Sequence, residues 1–430
     1  MLTRWIPQTN EKLDKLAFDI YNQAIDETTP LYQKFAPAKQ KAKNAYLAAH
    51  AHYLEQLKDE VAKTLDSAIN ELLFSAIQKS VNSDPLSPYI YWVNNAKPRP
   101  AFDGTYEIPG GRYSYDNPDA IYRMIPIDGS QRYILRGQQN TAGGTGDYTY
   151  SLIFNPNSQN TVAYLDKSTL KVEVDGSYII TIDNTPGSLD ENHLQSTDKV
   201  SFLFIRHNIT DWSVETADTL SVELAGQQRK ISQSLSDIID TAIKNLDESS
   251  ITYGVGAMGL ETYIPNLVNT LPQPKQSPII GTLVTQASSF GHIDINESEA
   301  FIITITPGKA GYFIVPVTNA WIISVDAANH QSSLNNTQAH SNNDGTYTFV
   351  VSIQDPGVAN WIDTVGLHEN TLMIRWQDMP ENAEPALNYE LVTFSELSQH
   401  LPPETQYVTP DERAKILEQR STGYNNRLVN

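Results

Sequence analysis

The chain has 430 residues, of which 40% are apolar, a formal charge of −20 and no cysteine. That length exceeds one ordinary core, so two or three structural units are expected. The acidic balance, with no run of Lys and Arg to offset it, argues against nucleic-acid partners. The lack of Cys excludes disulfides, thiolate zinc sites, iron–sulfur clusters and cysteine nucleophiles.

The N-terminal stretch MLTRWIPQTNEKLDKL carries no apolar h-region. No segment approaches the roughly 20 apolar residues of a membrane span. The expectation is a cytoplasmic protein without a membrane partner. Residues 10–80 predict helix: Leu13, Leu16, Ile20 and Ala24 repeat at helical spacing, as do Tyr46, Tyr53, Leu57, Val61, Leu65, Ile69, Leu72 and Ala76. Pro37 reads as a helix start, and Ala38–Asn82 contains no Gly or Pro. Unbroken, such a helix would reach about 60 Å. It fits two roles, an arm packed on the rest of the chain or an arm that makes a homo-oligomer.

From residue 83 the pattern changes to alternating strands. AIYRMIPID, QRYILRG, YTYSLIF, TLKVEVDGSYIITID and KVSFLFIRHNI read as strands, with Asp-Gly in VDGSY as a hairpin signal. Residues 226–247 predict helix, with Ile231, Leu235, Ile238, Ile239 and Ile243 on one face. The Pro-rich IPNLVNTLPQPKQSP reads as a crossing linker. Strands resume in AFIITITPG, GYFIVPV, WIISVDA, GTYTFVVSI and TLMIRWQ. In the tail, Thr409 as N-cap, Pro410 at the first helical position and the acids that follow announce a terminal helix.

The two strand-rich parts repeat each other over about 112–210 and 295–380. DAIYRMIPIDGSQRYILRG pairs with EAFIITITPGKAGYFIVPV, VDGSYIITIDNTPG with NDGTYTFVVSIQDPG, and VSFLFIRH with NTLMIRWQ, which sets Arg206 against Arg375. The predicted fold is mainly β with accessory helices (α+β): two related antiparallel β-sandwich or jelly-roll-like units. The predicted organisation is an N-terminal helical arm (1–82), a first β unit (83–225), a helical and Pro-rich linker (226–278), a second β unit (279–400) and a C-terminal helical tail (401–430).

Four motifs carry a resemblance: NPDAIYR (117–123), NDGTYTFVVSIQDPGVANWIDTVG (343–366), IRW (374–376) and TPDER (409–413). Together they resemble the bacterial family of the domain of unknown function 1214. The resemblance implies jelly-roll-like β domains with accessory helices and leaves the biochemical role open. One departure is Ile353, where relatives often carry a His two residues before the Asp of Asp-Pro-Gly.

Two polar constellations are candidate sites. In DPGVANWIDTVG, Asp355, Asn360 and Asp363 can each accept backbone N–H groups in turns, and Trp361 can plug a β core. The functional version brings Asp355, Asp363 and Arg375 together as catalytic groups, two carboxylates beside one guanidinium, with Trp361 and Asn360 as ligand contacts. Asp363 is the natural partner for Arg375, because an inward Arg must be paired. In YDNPDAIYR, Asp119, Tyr122 and Arg123 are ligand-binding candidates beside Asp116, either as a turn before a strand or as one wall of a cleft between units.

Other signals are weaker. GVGAMG (254–259) has GxGxxG spacing without a βαβ context. GGTGD (143–147) reads as a hairpin tip. His50 and His52 point to opposite sides of a helix, while His207, His292 and His368 stand alone in sequence. No nucleophile elbow or zincin motif is present. No cofactor and no metal are expected. The leading expectation is binding of a small polar or ring-containing ligand, such as a carbohydrate, between the β units. A metal-independent hydrolase or lyase using Asp/Arg pairs, and a structural or assembly protein, are the alternatives.

Overall fold

The computed structural model describes residues 11–52, 54, 56–93, 99–100, 107–112, 114–154, 160–187, 191–226, 233–256, 267–276 and 286–427. Three helices come first: α1 (Glu11–Ile25), α2 (Pro30–His50) and α3 (Asp59–Val81). Thr29 caps α2 by accepting the Tyr32 N–H, and Pro30 occupies its first turn. The single long helix expected from Ala38 onward does not form. Pro37 lies inside α2, and the chain turns between His50 and Asp59. The break buries both apolar faces in one cluster, with Phe35, Ala42 and Tyr46 of α2 joining Ile69, Leu72, Leu73 and Ile77 of α3. An unbroken rod would have left one stripe uncovered. Tyr53 of the expected pattern lies outside the described residues.

The first β unit contains β1 (Tyr91–Trp92), β2 (Arg99–Pro100), β3 (Glu107–Ile108), β4 (Ala120–Pro126), β5 (Tyr133–Gln138), β6 (Asp147–Ile153), β7 (Thr161–Asp166), β8 (Ser177–Asp183), β9 (His193–Gln195), β10 (Phe202–Asn208) and β11 (Thr219–Leu224). Helix α4 (Leu235–Ser249) follows, with a capping box of Ser234 and Asp237. It buries Ile238, Ile239, Ala242 and Leu246, whereas Leu235 is exposed. Ile231, residues 257–259 of GVGAMG and both ends of the Pro-rich passage (264–266 and 277–278) lie outside the described residues.

The second unit contains β12 (Lys275–Gln276), β13 (Ala287–Asp294), β14 (Glu299–Thr306), β15 (Tyr312–Asn319), β16 (Ser333–Asn335), β17 (Tyr347–Ser352), β18 (Trp361–Asp363), β19 (Glu369–Gln377) and β20 (Ala386–Thr393). A short α5 (Leu397–His400) and α6 (Pro410–Asn426) close the chain. Thr409 and Glu412 form the capping box of α6, with Pro410 in its first turn.

The two units are repeated sandwiches. Sheet order β1-β4-β10-β6-β7 over β11-β5-β8-β9 in the first recurs as β12-β13-β19-β15-β16 over β20-β14-β17-β18 in the second. Even the parallel pair recurs, β8 with β9 and β17 with β18. Each sandwich has its own core, one around Tyr150, Leu152, Leu203 and Ile180, the other around Phe301, Phe349, Ile374 and Trp376. Helices α1–α4 and the outer faces of the two five-stranded sheets share a further cluster that includes Tyr122, Phe204, Phe290, Trp321 and Met373. The helical arm therefore packs within the chain.

Four sequence expectations need correction. β4–β5 corresponds to β13–β14, so pairing it with β14–β15 was one strand out of step; short alternating runs look alike whichever strand they form. The Asp-Gly turn in VDGSY closes, with the Glu173 N–H donating to the Ser177 carbonyl at 2.8 Å, but only its second arm becomes a strand. WIISVDA makes no strand beyond one bridge from Ser324 to Thr318; Ile322 at φ 59° turns the chain there. GGTGD links two different sheets, since β5 and β6 belong to opposite layers, and is no hairpin tip.

Candidate functional site

The DPGVANWIDTVG segment serves the second sandwich and its tail helix. Asp355 accepts the Gly357 N–H at 2.8 Å and pairs with Arg413 of α6 at 2.9 Å. Asn360 is saturated: its Oδ1 accepts the His340 N–H at 2.8 Å, and its Nδ2 donates to the carbonyls of His340 and Thr348 at 2.7 and 3.0 Å. Trp361 donates to the Ser352 carbonyl at 3.1 Å and lies under the Arg413 guanidinium, 5.2 Å from the ring centre. Asp363 accepts the Val365 N–H and meets His330 Nδ1, both at 2.7 Å. The turn and core roles thus account for all four residues.

Arg375 is elsewhere. Its guanidinium donates to the carbonyls of Met373 and Tyr115. The expected Asp363–Arg375 pair does not exist, and the expected convergence of Asp355, Asp363 and Arg375 does not form. The reason is the sheet layering: Asp363 belongs to β18 in the four-stranded sheet, Arg375 to β19 in the five-stranded sheet. Burial lowers the Arg375 pKa, against the opposing influence of Tyr122 and Tyr312, and nearby Arg206 lowers it further.

Asn117 and Asp119 of NPDAIYR fasten the seam between the sandwiches. Asp119 is fully buried and accepts from Trp212 Nε1 and Tyr312 Oη at 2.9 Å and from Asn335 Nδ2 at 2.8 Å. Asn117 caps it, accepting the Asp119 N–H at 2.9 Å, and donates to Tyr312 Oη at 2.9 Å. Asp116 accepts the Ser324 N–H at 2.9 Å and the Ser324 hydroxyl. Burial raises the pKa of both Asp116 and Asp119. Tyr122 stacks on Phe204 at 5.5 Å. Arg123 faces the other way, into the first sandwich, where it donates to the Asp218 carbonyl at 2.7 Å and meets His207 Nδ1 at 3.1 Å. It does not share a site with Tyr122, because successive strand residues point to opposite faces.

One patch on the seam lacks partners. In the β6–β10 ladder, Asn208 sits opposite Asp147, Arg206 opposite Thr149 and Phe204 opposite Ser151. Cross-strand partners share a face, and Asn208 shows which one, since its Nδ2 donates to Gln377 of the second sandwich at 2.6 Å. Among the described residues, six side-chain atoms on this face are buried without a hydrogen bond: Nε and Nη1 of Arg206, Oγ1 of Thr149, Oγ of Ser151, Oδ2 of Asp147 and Oδ1 of Asn208. All five side chains are 8% exposed or less. Arg206 lies over the Tyr122 ring at 5.4 Å and the Phe204 ring at 5.7 Å. Burial pushes the Asp147 carboxyl up to about 7, against the lowering effect of Arg206. Native interiors leave few polar atoms unmatched, so a contiguous group of them marks a place for water or a ligand.

Backbone strain collects where the Tyr115 carbonyl accepts from Arg375. Tyr115 at φ 56° and Ile322 at φ 59° hold the left-handed region, and the Tyr115 N–H donates to the Ile322 carbonyl at 2.8 Å. A β-branched residue there is a real outlier, of the kind found at functional sites. Sequence reasoning reached Arg206 only through its match to Arg375. Asp147 enters only as the end of GGTGD, Thr149, Ser151 and Asn208 carry no motif, and strand pairing alone assembles them.

Two other buried networks stand apart. Inside the first sandwich, Asp218 accepts from Tyr178 Oη at 2.6 Å and sits 3.2 Å from His207 Nε2. Burial lowers the His207 pKa. Where the helical arm meets the second sandwich, Glu369 lies 2.7 Å from His50 Nε2 and 3.1 Å from His292 Nε2. Folding thus unites two histidines that are far apart in sequence. Among the described residues no group of three or more His, Asp or Glu is arranged to hold a metal ion, and no helix is long and apolar enough to cross a membrane.

No protein-family model matches the chain, and no curated protein matches its sequence. Among solved structures, the chain is similar to an uncharacterised protein of Burkholderia cenocepacia, with a TM-score of 0.69 and 20% identity over 88% of this chain and 99% of that one. A protein of Vibrio parahaemolyticus matches with a TM-score of 0.39 and 10% identity over 82% of this chain and 99% of that one. The first likeness shows that this fold recurs in a solved structure.

Proposed function

We propose that this chain is a small-molecule binding protein whose ligand lies in the seam between its two sandwiches, against the outer face of β6 and β10. The patch of six unpartnered buried polar atoms around Arg206 carries this reading. Ligand sites favour the junction of two units, and they combine apolar walls with a few convergent polar groups. Tyr122, Phe204 and Met373 supply apolar wall in the same cluster. The chain motifs that resemble the domain of unknown function 1214 support membership of that family. The charge of −20 supports a protein that leaves nucleic acid alone.

Asp355 and Asp363 play no part in this reading, because Arg413 and His330 engage them. A thermal-shift screen of the full chain against sugars and organic acids tests it. Stabilisation by at least one compound, lost in Arg206→Gln, is the expected result. A panel with no stabiliser, or a stabiliser that Arg206→Gln binds equally well, would overturn the site.

A further inference from the structure

We infer that the seam ligand is a small hydroxylated carboxylate, with its acid group at Arg206, Thr149 and Ser151 and a hydroxyl at Asn208 and Asp147. This rests on the seam being the binding site and specifies what occupies it.

The chemistry of the orphaned atoms differs along the ladder. Nε and Nη1 of Arg206 can only donate, and the guanidinium is charged at any ordinary pH. The hydroxyls of Thr149 and Ser151 stand beside it on the neighbouring strand and can donate as well. This end therefore asks for an acceptor, and a negatively charged one forms the stronger bonds. Two residues further along, about 7 Å away in a strand, the demand reverses. Asn208 has spent its Nδ2 on Gln377 and leaves Oδ1, which can only accept. Oδ2 of Asp147 faces the same ladder position. This end asks for a donor such as a hydroxyl.

Charge favours the same occupant. Two guanidiniums, Arg206 and Arg375, lie near enough at the seam to repel each other, and among the described residues the hydrogen bonds of Arg375 go to main-chain carbonyls. The nearest carboxylates are committed, Asp116 to Ser324 and Asp119 to Trp212, Tyr312 and Asn335. Asp147 lies on the patch itself, where burial holds its carboxyl at about 7, and Asp378 and Asp166 add to that rise. A monoanion offsets the excess, whereas an amine would be repelled. A phosphate would need more cationic or backbone donors than this patch of strand side chains presents. A neutral sugar would match the Asn208 end and leave the guanidinium without a charged acceptor.

The test uses three compounds on one six-membered frame: glucuronate, glucose and cyclohexanecarboxylate. Binding to the full chain is measured by calorimetry and thermal shift. Glucuronate should bind, and each of the others should be weaker by on the order of tenfold or more, the value of a hydrogen bond to a charged group. Arg206→Gln should remove the preference for glucuronate over glucose, and Asn208→Leu the preference for glucuronate over cyclohexanecarboxylate. Should Arg206→Gln fail to fold, the Thr149→Val and Ser151→Ala pair weakens glucuronate by the same route. Glucose binding as tightly as glucuronate would overturn the anion assignment and leave the seam site standing. Equal binding of cyclohexanecarboxylate would overturn the hydroxyl assignment. If none of the three binds and a crystal structure shows only ordered water on the six atoms, both this inference and the seam site fall.

Discussion

Asn208 and Gln377 occupy equivalent places in the two sandwiches, at the ends of β10 and β19, and they hydrogen-bond each other across the seam at 2.6 Å. The equivalence follows from register: Asn208 lies opposite Asp147 on β6 as Gln377 lies opposite Tyr312 on β15. The repeat thus brings two equivalent residues into direct contact. Gln377 continues the chain of bonds to Gln286 at 2.7 Å, and Gln286 to Ser288 at 2.8 Å.

Cutting that chain should loosen the seam. Asn208→Leu leaves the Gln377 carbonyl oxygen buried without its donor, at an expected cost of about 1–3 kcal/mol. Urea unfolding measures it. Replacing both residues by Leu should cost less than the sum of the single changes, and strict additivity would show that the two amides act independently.

Asp363→Asn should be mild. The partner of Asp363 is His330, whose side chain is 40% exposed, and not a buried guanidinium. Asn keeps an acceptor for the Val365 N–H. The expected loss is about 1 kcal/mol or less, a shift of a few degrees in thermal melting. A loss several times larger would mean that Asp363 holds more than this pair.

Glu369 should shape the acid limb of stability. Burial pushes its carboxyl up, but bonds from His292 and His50 outweigh burial and hold it down at about 2, against 4.5 unperturbed. A depressed carboxylate stabilises the fold above the unfolded value, and that contribution drains away as pH falls from 4.5 toward 2. The amount is roughly 3 kcal/mol. Glu369→Gln should lower stability at neutral pH and flatten the curve across that window. Denaturant midpoints taken along a pH series would show an unchanged slope if the two histidines did not act on it.

Asp147 should do the opposite. Its folded pKa of about 7 lies above the model-peptide 3.8, so the folded state holds the proton longer than the unfolded chain. Stability therefore declines as pH rises from 3.8 and the whole cost is present above about 7. Asp147→Asn should raise the melting temperature more in mildly alkaline than in acidic buffer. A gain that is equal at both ends would show that Asp147 is ionised in the fold throughout. The anionic ligand proposed for the seam should enlarge the wild-type preference for the acidic side, since a protonated Asp147 does not repel it.

Much of the architecture was legible along the chain. The N-cap of α6, the alternation of β14, β17 and β19 and the repeat that equates Arg206 with Arg375 are all local or periodic signals, which single residues and their neighbours decide. Of the NPDAIYR residues, Asp119 bonds to the second sandwich, whereas Arg123 turns into the first. What could not be read was pairing. Whether Asp363 meets Arg375 or His330 depends on which sheet each strand joins. Whether Asp147, Thr149, Ser151, Arg206 and Asn208 form one patch depends on the register of β6 against β10, two strands separated by some fifty residues. The break between α2 and α3 depends on burying two apolar faces at once. The sequence by itself determined the elements and their repetition, because those follow from spacing of a few residues. Only the tertiary structure decided the site, because contacts between distant strands assemble it and no local pattern records them.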